Sequence, residues 1–137
     1  MTTLVDSGAL YAMADQGDEW HTRVWEWWEL NQGELAVPVT ALPEVTYLLQ
    51  SRLGPDAEAD FVRSLALEEV PLERLEREDV TRASELMADY QDLPLGFVDA
   101  SIVAIAERLN IRSVLTTDSR HFGVVRPRHV ERLRLEP

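Results

Sequence analysis

Short apolar runs alternate with pairs of helical stretches, and that alternation constrains the fold more than any other feature of the chain. TTLVD (2–6), LAVP (35–38), VPLERL (70–75) and SVLTT (113–117) read as strands, apolar runs bounded by turn or polar residues. Between them lie segments of helical period: 7–15 and 18–30, then 41–53 and 56–69, then 76–90 and 97–109. Helices that carry the chain back to the same sheet edge make successive strands parallel, and a parallel sheet needs helices on both faces. The order β-α-α-β-α-α-β-α-α-β, with a short C-terminal element, therefore predicts an α/β fold. It is a three-layer α/β/α sandwich around a central, mainly parallel sheet of four to five strands. Gly123–Val125 and Val130–Leu135 are the candidates for the last strand. No repeat, low-complexity tract or linker divides residues 1–137, and that length suits a single domain with its own core.

Local signals mark the helix ends. Ser7 fits as an N-cap, Asp18 and Glu19 give the second helix an acidic first turn, and Thr40 fits as the cap of the third. Pro43 is tolerated in that helix's first turn, Leu42, Val45 and Leu49 form its apolar stripe, and Gly54-Pro55 stops it. In the segment 97–109, Val98, Ile102, Ile105 and Leu109 fall in register.

Composition removes several chemistries. There is no cysteine, so disulfides and thiolate metal sites are out, which fits a reducing cytoplasm. All 13 basic residues are Arg; without Lys there is no Walker-type phosphate loop and no Schiff base. No basic segment followed by a long apolar stretch opens the chain, and the apolar runs are too short to cross a bilayer, so a cytoplasmic protein with no membrane partner is expected. The net charge of −12 argues against broad adhesion to nucleic acid. The charge is uneven, however: residues 108–137 hold 7 Arg against 3 acids. That basic strip reads either as a solvated face with local ion pairs or as an anchor for phosphates.

Four acids sit against apolar pattern. Asp6 ends the first strand and Asp118 ends SVLTT, and ligands of an open parallel sheet bind beyond such carboxyl ends. Asp99 begins a helix whose i+3, i+4 and i+7 positions are Ile102, Val103 and Ala106; Glu44 lies in a first turn with Ala41 and Leu48 on its face. Singly, each has a plain reading: Asp6 as a helix cap, Asp118 as a turn former, Glu44 and Asp99 as acids favoured by helix dipoles. Together they would repel one another, and burial would drive them to take up protons. A divalent cation removes both costs. Oxygen-only ligands suit Mg²⁺ or Mn²⁺, and such an ion can activate water and bind a phosphodiester.

At LVDSGALYA, TALPEV, LGFVDASIVAIAERL and VLTTDSRHF the sequence resembles a PIN domain, and more narrowly the VapC-type toxins of type II toxin–antitoxin pairs. The stretches span residues 4–122, nearly the whole chain. The resemblance implies a PIN-like α/β/α sandwich and an Mg²⁺- or Mn²⁺-dependent endoribonuclease leaving a 5′-phosphate and a 3′-hydroxyl. It implies Asp6, Glu44, Asp99 and Asp118 as catalytic and metal-site acids. Asp6 and Asp99 would be direct ligands, Glu44 and Asp118 ligands or positioners of water, and Ser7 and Thr116 polar neighbours. RNA substrate, a cognate antitoxin that inserts an Arg among the acids, and a homodimer are the partners implied. Arg120, Arg126 and Arg128 are the candidate RNA phosphate contacts.

Other features stay open. Trp20, Trp25, Trp27 and Trp28 read either as packing on the domain's own core or as an apolar patch for a partner. His21, His121 and His129 lack metal-ligand spacing; His121, three residues after Asp118, reads as a turn residue or as a contact to RNA. The rival function is a catalytically inactive PIN-like scaffold that binds protein. A phospho-receiver needs a Lys, and a haloacid-dehalogenase-type phosphatase needs a second Asp where this chain has Gly8.

Overall fold

The computed structural model describes residues 1–67 and 70–137. The chain runs through β1 (Thr3–Val5), α1 (Ser7–Ala14), α2 (His21–Leu30), β2 (Leu35–Pro38), a 3₁₀ turn (Val39–Ala41), α3 (Leu42–Leu53) and α4 (Pro55–Leu67). It continues through β3 (Leu72–Glu73), α5 (Arg77–Asp89), α6 (Phe97–Leu109), β4 (Ser113–Leu115), α7 (Ser119–Val124) and β5 (Arg134–Glu136). The strands form one five-stranded sheet in the order β3-β2-β1-β4-β5, with every pairing parallel.

Alternation along the strands divides the core in two, because successive side chains in a strand point to opposite faces. Leu4, Ala36 and Val114 pack with Ala83 and Leu86 of α5, with Ile102 and Ile105 of α6 and with Phe122 of α7. Val5, Val37 and Leu115 pack on the other face with Leu10 of α1, Val24 and Trp28 of α2, Leu49 of α3 and Phe61 of α4. The strands β1, β2 and β4 are buried on both faces, which explains why they read as continuous apolar runs.

Several sequence expectations change in detail. Gly123 and Val124 are helical rather than strand, because Asp118 caps α7 by accepting from the Arg120 N–H at 3.0 Å, and Phe122 is drawn into the core. Of the span 130–135 only its end enters the sheet, as β5, and of 70–75 only Leu72–Glu73 pairs. The end of the expected helix 56–69 lies outside the described residues. Asp6, not Ser7, caps α1. Asp18 and Glu19 precede α2, where the Asp18 carboxylate accepts from the Trp20 N–H and closes a turn. Thr40 lies in the 3₁₀ turn, and its hydroxyl pairs with that of Ser101 at 2.7 Å instead of capping α3. The tryptophan stretch resolves toward the core: Val24 and Trp28 are buried, and Trp20, Trp25 and Trp27 pack against the same cluster.

One acid the sequence did not single out is the most buried among the described residues. Asp79 is 1% exposed. It accepts from the Glu76 N–H at 2.8 Å to complete a capping box on α5, and from Arg108 Nε of α6 at 3.0 and 3.1 Å. Arg108 also donates to the Arg74 carbonyl at 2.9 Å. The pair joins α5 to α6, and removing one member leaves the other without its counter-charge. Asp79→Ala is therefore expected to cost about 3 kcal/mol of stability in urea unfolding.

Candidate active site

Sheet order locates the cleft. From β1 the chain steps through β2 to β3 at one edge, then returns past β1 to β4 and β5 at the other. The reversal falls between β1 and β4, where helices leave the carboxyl ends of neighbouring strands in opposite directions and open a crevice. Asp6 directly follows β1, and Thr116, Thr117 and Asp118 directly follow β4.

The backbone N–H of Asp6 donates to the Leu115 carbonyl at 2.9 Å, so the sheet ladder itself fixes the residue. Its side chain is 4% exposed. One carboxylate oxygen accepts from the Ser7 N–H at 2.7 Å and the other from the Thr116 hydroxyl at 2.8 Å. The Ser7 hydroxyl lies 2.6 Å from Glu44 Oε1 and 3.3 Å from Asp6 Oδ1. A hydroxyl has one proton to give, so Glu44 receives the better bond. Burial pushes the Asp6 carboxyl above the usual carboxylate range; the bonds from Thr116 and Ser7 pull it down, and the charge of Glu44 pushes it up again. The cap reading of Asp6 and the reading as a cleft acid thus hold together.

Asp99 occupies the first turn of α6, a helix whose residues 100–106 are all buried. Its own side chain is 22% exposed and lines the cleft. Its pKa is raised to about 7, by desolvation first, then by the Asp6 charge, with Glu44 and Asp118 adding to it and His121 opposing it. Asp118 is the more open acid, 41% exposed at its side chain. His121 Nδ1 stands between the two, 3.3 Å from Asp99 Oδ2 and 3.1 Å from Asp118 Oδ2. His121 is the cleft residue that sequence reasoning undervalued. Its signal is the i, i+3 spacing from Asp118, the cap of α7, which brings the two side chains together.

All four acids line one cleft of about 420 Å³, together with Ser7, Gly8, Leu48, Phe97, Thr117 and His121. Gly8 permits the close approach of α1 to the segment after β4, since a Cβ there would collide with the Thr117 hydroxyl. The basic candidates are dispersed. Arg128 pairs with Glu85 at 2.9 Å and lines a different depression, between α5 and α6. The Arg126 guanidinium donates to the carbonyls of Gly123 and Val124 at the end of α7. Arg120 is exposed on α7, one residue before His121.

A family model for the PIN domain matches residues 3–126. The chain belongs to the PIN-domain family. This PIN domain is 33% identical over 124 residues to Ribonuclease VapC26 of Mycobacterium tuberculosis, which covers 90% of this chain and 92% of that relative. Its fold is similar to that of VapC20 from M. tuberculosis, a sarcin-ricin loop cleaving toxin, with a TM-score of 0.81 at 20% identity over 86% of this chain and 91% of that one. It is similar also to DNA-bound VapBC from Salmonella typhimurium, with a TM-score of 0.73 at 17% identity over 99% and 97% of the two chains.

The donor set of this PIN domain suits a hard cation. It consists of carboxylate oxygens with hydroxyl neighbours, and the two most buried, Asp6 and Asp99, have no Arg partner among the described residues. Among those residues no three acids or imidazoles close on one point as a ready-made coordination shell. The fit to Mg²⁺ therefore rests on the oxygen chemistry of the lining, since that ion is commonly held by one or two carboxylates and keeps several waters.

An acid with a raised pKa binds its proton more tightly in the folded state. The metal-free fold is therefore relatively stabilised below an unfolded value of about 4 and loses that contribution as pH rises through about 7. Asp99→Asn escapes the loss. In EDTA it is expected to melt higher than wild type at pH 8, by on the order of 5 °C, with the difference shrinking toward pH 4 in calorimetric scans.

Proposed function

We propose that this chain is a metal-dependent endoribonuclease that acts as the toxin of a toxin–antitoxin pair. The observation that carries the reading is the pair of poorly neutralised carboxylates, Asp6 and Asp99, held by opposite faces of the molecule against one cleft at the sheet reversal. Kinship with Ribonuclease VapC26 supports the reaction class.

Asp6 and Asp99 are the residues that would hold Mg²⁺ or Mn²⁺, with Glu44 and Asp118 at the rim. When bound, the ion supplies Lewis-acid polarisation of a phosphodiester and lowers the pKa of water. The chain's own side chains do the positioning. Thr116 and the Ser7 N–H orient the Asp6 carboxylate, Ser7 ties Glu44 to it, and His121 keeps Asp99 and Asp118 from separating. Arg120 is the basic side chain best placed to reach an RNA backbone leaving the cleft; Arg126 and Arg128 would first have to give up their present partners.

A cognate antitoxin would silence the site by placing an Arg guanidinium among the four acids, answering the same charge that draws the cation. VapBC complexes among the similar folds support such a partner. A homodimer is expected on the same kinship. Burial of Val24 and Trp28 leaves little to favour the alternative, a non-catalytic scaffold built on the Trp helix.

Incubation with total RNA, with and without Mg²⁺ or Mn²⁺, tests the reading. Cleavage is expected only with metal, and Asp6→Asn or Asp99→Asn is expected to lower it by about a thousandfold while circular dichroism is unchanged. Full activity in both variants would overturn the assignment. Size-exclusion chromatography with the product of the neighbouring gene is expected to give a mixed complex that does not cleave, and separate elution counts against the antitoxin.

A further inference from the structure

Phe97, the first residue of α6, is 41% exposed. It belongs to neither apolar core, whereas its neighbour Val98 packs against one of them. It lines the acidic cleft two residues from Asp99, with Leu48 and Val98 as the other apolar wall. The preceding residue is uncrowded as well: apart from its chain neighbours, a Cβ at Gly96 would meet nothing within 4 Å. An aromatic ring left in solvent at the mouth of a charged cleft lacks the packing that would account for it.

The electrostatics of the cleft say what the ring is for. Proteins that bind nucleic acid ordinarily draw affinity from Lys and Arg on phosphates. Among the described residues no Arg lines this cleft, and His121 is the one side chain there able to become cationic. Four carboxylates repel a polyanion. A cation held by the acids would answer the charge of the one phosphate at the site; affinity for the flanking nucleotide needs a contact that carries no charge, and the face of a base on an aromatic ring is such a contact.

We propose that Phe97 is a stacking platform for an unpaired nucleobase of the RNA, positioning a nucleotide that flanks the phosphate presented to Asp6 and Asp99. The proposal rests on the ribonuclease reading and adds the feature of the substrate that the cleft grips. Tyr47, 67% exposed on α3 and outside the cleft lining, is the aromatic control.

The test measures binding apart from cleavage. In an Asp6→Asn background, fluorescence anisotropy follows a labelled oligoadenylate, alone and annealed to oligouridylate, in Mg²⁺ buffer. Phe97→Ala is expected to weaken binding of the single strand roughly tenfold, to leave the duplex unaffected, and to be rescued by Phe97→Trp; Tyr47→Ala changes neither. In the cleaving protein, Phe97→Ala is expected to raise KM with little change in kcat. Unchanged single-strand binding, equal loss on the duplex, failure of the Trp rescue, or a fall in kcat at constant KM would each overturn the proposal. A changed sedimentation coefficient with unchanged RNA affinity would assign the ring to a contact between copies of the chain and overturn it as well. If wild type cuts no RNA under any metal condition, the ribonuclease reading falls, and the binding comparison still decides whether Phe97 stacks.

Discussion

Repulsion among carboxylates that share one cleft without an Arg or Lys to answer them is the constraint around which the rest of the molecule is arranged. Burial raises the cost of charging Asp6 and Asp99, and charge adds to it: Glu44 acts on Asp6, and Asp6 acts on Asp99. A fold tolerates this only if the backbone beneath is rigid. Asp6 sits on the ladder bond to Leu115, and Asp99 on a helix buried along residues 100–106. Ser7, Thr116 and His121 supply the remaining restraint, so that the acids persist as a poised negative hole.

Asp79 shows what a buried acid looks like when it serves the fold. It is more secluded than Asp6, yet its oxygens meet Arg108 and the Glu76 N–H. The comparison separates two uses of one side chain by the sign of what surrounds it. It also accounts for much of the basic C-terminal strip. Arg108, Arg128 and Arg134 are paired with Asp79, Glu85 and Glu136. Three of the seven arginines that suggested a phosphate anchor are thus taken up in ion pairs, two of them reaching α5 and the third within β5, and Arg120 is the basic residue next to Asp118.

The layered architecture was legible because burial on both faces writes itself into β1, β2 and β4 as unbroken apolar runs, and because parallel strands demand intervening helices. The four acids were legible as polar residues interrupting those patterns at strand ends and helix starts. What stayed hidden was set by partners far away in sequence. Asp79 looked like one more acid in an acidic stretch because Arg108 lies 29 residues on. His121 looked like a turn residue because its second neighbour, Asp99, arrives from another element. Thr40 looked like a cap because Ser101, 61 residues away, could not be seen to compete for its hydroxyl. The strand expected at 123–125 failed for a similar reason, since the core contact of Phe122 holds that stretch in a short helix.

The central position of β1 has a consequence in time as well as in space. Its partner β4 lies about a hundred residues downstream: Thr3 pairs with Ser113, and the bond from Thr116 that orients Asp6 closes a separation of 110 residues. Pairings of such sequence separation form late, because the loop they close must be ordered first. During synthesis the N-terminal strand leaves the ribosome long before the segment that completes its surroundings. The first acid of the cleft therefore lacks its orienting partners until the final quarter of the polypeptide has emerged, and the cleft is not assembled before then.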